Sequence, residues 1–149
     1  MTSEAQLQAG IKATLQGITR FNASSVTINN DVYLDGPIAN SPFFNILIAD
    51  SFTSRQDTMT PTGTYQIPVI MYREFADWEE TQNQFQADRQ AILDEFNEVG
   101  AARSCGGLEG VTVNVIRAEG PVTGVAYDET TPAMPVYLMQ SLIFEVELF

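Results

Sequence analysis

The sequence predicts an α+β fold, a mostly antiparallel sheet with two helices packed on one face and a long hairpin arm. Three observations predict it. Residues 3–19 and 77–99 carry apolar side chains at helical spacing. Other segments are rich in β-branched and aromatic residues and are bounded by Gly and Pro. The order along the chain is helix, strands, helix, strands, which favours segregated helices over alternating βαβ units.

The first helix begins at Ser3, which has Gln6 at capping-box spacing. Leu7, Ile11, Leu15 and Ile18 then fall on one face, while Gly10 and Gly17 weaken the helix by about 1 kcal/mol each against alanine. A strand follows at "SVTINNDVYL", whose "NND" is alternatively a tight turn between two shorter strands. The run "FFNILIADSF", 43–52, reads as one strand, and its apolar residues on both faces suggest a central position. "TGTYQIPVIMYREF", 62–75, is the next strand; Pro68 has no N–H to donate, which places that part at an edge or a bulge. The polar stretch "TSRQDTMTPTG", 53–63, lacks strong helix or strand patterning and reads as a long hairpin arm, mobile in the isolated protein.

The second helix, 77–99, is the clearest. Asp77 and Glu80 form an acidic capping pair at its positive end. Trp78, Phe85, Ile92 and Val99 recur every seven residues, Phe96 joins their stripe, and Gly100 is a plausible C-terminal cap. The glycine-rich "AARSCGGLEG" is a connector, and "VTVNVIRAEGPVTGVAY" reads as a hairpin turning at Gly120 and Pro121. "DETTPAMP" is an extended linker. The chain closes on "VYLMQSLIFEVELF", in which Val136, Leu138, Leu142, Phe144, Val146 and Leu148 share a core face interrupted only by Gln140. The opposite face carries Tyr137, Met139, Ser141, Ile143, Glu145, Glu147 and Phe149. Its apolar members either pack within the subunit or meet a neighbour.

With 149 residues and 44% hydrophobic content, the chain can bury one core. It carries 19 acids against 7 bases, a net charge of −12, which disfavours direct phosphate binding. No apolar run is long enough for a membrane span, and "MTSEAQLQAG" lacks the basic and apolar regions of a signal peptide. Synthesis in the cytoplasm is the simplest expectation.

Histidine is absent, which excludes Ser-His-Asp and Cys-His catalysis and histidine-bearing zinc sites. Cys105 is single, so it makes neither an internal disulfide nor a thiolate cluster, and it reads as a buried or idle thiol. Carboxylate pairs such as Glu145 with Glu147 remain, but catalytic use requires burial of one partner. No phosphate loop, dinucleotide fingerprint or calcium loop is present. Catalysis is not expected, nor is a cofactor or metal. The 77–99 helix carries seven acids and Arg89 as its single base. That face is either simply solvated or lines something that must not hold a polyanion.

The order of these parts resembles that of tail terminator proteins of long-tailed bacteriophages. The segments carrying the likeness are "EAQLQAGIKATLQGI", "FFNILIAD", "TYQIPVIMYREFADWEETQNQFQADRQAILDEF" and "PVYLMQSLIFEVELF", including the junction from strand into the "DWEE" helix; they span most of the chain. In a wider sense the chain is similar to head–tail joining and tail-tube subunits of the same phages. The resemblance implies one domain, 1–149, and a homo-oligomeric ring, commonly a hexamer, that caps the tail tube and ends its polymerisation. Its implied partners are the tail tube protein and a head completion or connector protein, with DNA passing through unbound and no membrane involved. The implied location is the tail or neck of the virion, with no catalytic residue.

On this reading the candidate subunit or tube interface comprises Arg55 and Met59 of the arm, with Tyr137, Met139, Ile143 and Phe149 of the closing strand. The candidate acidic channel face comprises Glu79, Glu80, Asp88, Asp94, Glu95 and Glu98. The main rival of another class is an acidic nucleic-acid mimic, which net −12 also fits.

Overall fold

The computed structural model describes residues 3–29, 42–49, 51–57, 60–97, 111–127 and 135–148. Helix α1 spans Glu4–Gly17 and starts on the expected capping box, with Gln6 N–H donating to Ser3 Oγ and Ser3 N–H to Gln6 Oε1. A short 3-10 turn, Thr19–Phe21, leads into β1, Ser25–Ile28. Next come β2, Phe43–Ile46; β3, Ser51–Asp57; and β4, Thr60–Glu74. Helix α2 spans Trp78–Asn97, followed by β5, Val111–Tyr127, and β6, Pro135–Leu148.

The six strands form one sheet in the order β1-β2-β4-β6-β5, with β3 pairing β4 beside that path. The β1–β2 pairing is parallel and every other one antiparallel, so the protein has an α+β fold with a mostly antiparallel sheet. The closing strand β6 lies between β4 and β5, paired on both sides. Its backbone is therefore satisfied within the chain, and it holds the two longest ladders together.

The core follows the alternation of the strands. Ile67, Val69 and Met71 of β4 and Leu138, Leu142, Phe144 and Val146 of β6 join one buried cluster with Leu7, Ile11 and Leu15 of α1 and Phe85, Ile92 and Phe96 of α2. Edge-to-face ring pairs fix its two ends: Phe21 with Phe44 at 4.8 Å and Phe96 with Phe144 at 5.1 Å between centroids. Gln140, the expected polar interruption of this row, is only 5% exposed. Its carbonyl accepts from Arg89 and its amide donates to Gly120 O at 3.3 Å, so its burial leaves no polar atom unpaired.

Four expectations are corrected. The run 43–52 is two strands, because β2 stops at Ile46 and β3 begins at Ser51. Both lie along the same side of β4, and Leu47 N–H still reaches Pro68 O at 2.9 Å. A residue's N–H and C=O point to the same side of an antiparallel strand, so the missing donor of Pro68 faces this break, and β4 remains an interior strand. Secondly, the 53–63 arm is the hairpin expected, but its strands are regular although the stretch lacks strong strand patterning: Ser51 through Asp57 pair with Gln66 through Thr60. Its polarity was misleading, since threonine is β-branched and a hairpin satisfies its backbone whether or not its side chains are buried.

Thirdly, 111–127 does not turn back on itself. It is one strand paired with β6 throughout, and the Gly120–Pro121 step is absorbed as a register shift between Glu119 and Thr123. Gly120 has φ +76°, the left-handed conformation that glycine adopts without Cβ strain. Bulges tolerate both glycine at positive φ and a proline without a donor. Fourthly, Trp78 leaves the apolar stripe. It is 43% exposed and packs edge-on against Phe75, at the helix end where no further turn of core lies beneath it. In the "SVTINNDVYL" segment only Ser25–Ile28 is described as strand. Val99, Gly100, Cys105, Asn30 and Asp31 of "NND" and the "DETTPAM" segment lie outside the described residues.

Candidate interaction surfaces

The N-terminus of α2 is built by Asp77, whose side chain accepts from Glu80 N–H at 2.8 Å and whose carbonyl accepts from Thr81 N–H at 3.0 Å. This fixes the helical phase. Thr81, Phe85, Asp88, Ile92 and Phe96 turn inward and are buried. Glu79, Glu80 and Asp94 turn outward and are exposed, and Glu95 is half-buried. Gln90 holds Asp94 with an amide hydrogen bond of 2.7 Å. A shallow groove of about 480 Å³ runs along this face, bounded by Arg20, Asp77, Glu79, Glu80 and Asn83.

Asp88 is not part of the wet face. It is fully buried, bonded to Arg73 through Nε–Oδ2 at 2.5 Å and NH2–Oδ1 at 2.8 Å, and to Arg20 Nε at 2.7 Å. Sequence reasoning missed this ion triad. The signal was available in the spacing, since Asp88 lies three residues after Phe85 and four before Ile92, inside the apolar stripe. Its effect on the surface is indirect. Arg73 is consumed on Asp88 and Arg89 on Gln140, which ties both inward, while Arg20 bonds Asp88 through Nε and still borders the groove beside Glu79 and Glu80.

The closing strand's second face is corrected too. Tyr137 is fully buried and Ile143 is 2% exposed, so neither is an open contact residue. Tyr137, Tyr72 and Ile70 form a second buried cluster, with Phe43, Leu47 and Met139 partly buried against it. The Tyr72 ring meets Tyr137 at 5.6 Å and Phe43 at 5.9 Å, both edge-on. Of the proposed interface set, Met139 is half-buried, Arg55 lies on the backbone of β3, and Met59 and Phe149 fall outside the described residues, as does Glu98 of the acidic set.

Among the described residues the exposed large apolar side chains lie elsewhere: Ile48 at 66%, Val115 at 46% and Trp78 at 43%. Ile48 sits in the β2–β3 break, whose backbone is fastened by α1. Gln8 Nε2 donates to Leu47 O at 2.8 Å and to Asn29 Oδ1 at 3.0 Å, while Glu4 Oε1 accepts from Ala49 N–H at 2.5 Å. Val115 sits just past a register shift in the outer strand β5.

Among the described residues no group of three or more His, Cys, Asp or Glu could hold a metal, and no helix is long and apolar enough to cross a membrane. No protein-family model matches the chain, and no curated protein matches it in sequence.

Proposed function

We propose that this chain is a ring-forming structural subunit of the tail terminator kind, closing into a homo-oligomer, most simply a hexamer, that caps a phage tail tube. The observation that carries the reading is the outer face of α2, where Glu79, Glu80 and Asp94 stand exposed while Arg73 and Arg89 are tied inward and Arg20, at its border, is held by Asp88. A face of one sign lining a bore repels DNA backbone, so a genome slides past it without sticking. The order of parts supports the same reading: an N-terminal helix, a β3–β4 hairpin, an acid-rich helix and a final strand locked into the sheet. The partners follow as the tail tube protein on one side and a head completion protein on the other, in the neck of the virion.

Adding the purified protein to polymerising tail-tube subunits tests it. Tubes that stop growing with an extra ring at one end support the terminator; tubes of unchanged length, bare at both ends, refute it. A tube subunit of the same lineage would copolymerise along the tube instead, and a connector would bind the head side alone. An acidic mimic would inhibit a DNA-binding enzyme at stoichiometric amounts.

A further inference from the structure

We draw no further inference here: the strongest candidate, the shallow groove of about 480 Å³ between Arg20 and the start of α2, is walled by the same Asp77, Glu79 and Glu80 carboxylates as the acidic face already described, and nothing in the structure shows what occupies it.

Discussion

Arg73 and Asp88 face each other across the join between β4 and α2, through two bonds of 2.5 and 2.8 Å. Asp88 is fully buried and the Arg73 side chain is 11% exposed, whereas Arg20, the third member, is 38% exposed. Removing one partner of a buried pair strands the other charge. Asp88→Ala should therefore destabilise the fold by about 3–5 kcal/mol. Arg20→Ala, losing a half-wet contact, should cost about 1 kcal/mol or less. Urea unfolding of the two variants checks the ranking.

Two glycines should respond in opposite directions to the same substitution. Neither would bring a new Cβ within 4 Å of another group, so sterics do not separate them. Gly120 has φ +76°, and Gly120→Ala should cost about 1–2 kcal/mol for placing an L-residue there. Gly17 closes α1 without positive φ, and Gly17→Ala should stabilise by about 0.4–1 kcal/mol through the unfolded chain. Thermal melts of both variants read the sign directly.

The fastening of the β2–β3 break offers a third check. Gln8 is 3% exposed and spends its amide on Leu47 O and Asn29. Gln8→Ala leaves that carbonyl unpaired, at a cost of about 1–3 kcal/mol. Amide exchange at Ala49 should quicken more than at Val69, which lies in the β4 ladder. Equal acceleration at both sites would mean that α1 does not hold the break.

Periodicity made the helices and the core face of β6 legible in advance. Leu7, Ile11 and Leu15, and Leu138, Leu142 and Phe144, are buried as their spacing requires. What stayed hidden depended on partners distant in sequence. Nothing local says whether Gly120–Pro121 turns or bulges; the continuous ladder with β6 decides it. Asp88 looked like one more acid on a wet helix until Arg73, fifteen residues away, took it inward. Tyr137 and Ile143 alternated onto the supposed open face, but a second apolar cluster forms there around Tyr72. Ile143→Asp would consequently bury an unpaired charge and test folding rather than assembly. The exposed Ile48 was masked by its strand-like neighbours, because a break in a sheet has no periodic signature.

The acid face of α2 makes an electrostatic prediction. Glu79→Lys, Glu80→Lys and Asp94→Lys together change the charge of that face by about +6 while leaving the buried stripe untouched. If the face lines the bore, the assembled triple variant should retain DNA at low salt, with affinity falling steeply as salt rises. A variant that assembles normally and stays indifferent to DNA would place α2 away from the channel.

Negative-stain imaging of the purified protein at high concentration tests the central claim most directly. The account predicts single-layer closed annuli with an axial hole, most simply six subunits, that do not lengthen with time or concentration. Solitary particles at millimolar concentration, or tubes that keep growing, would contradict it.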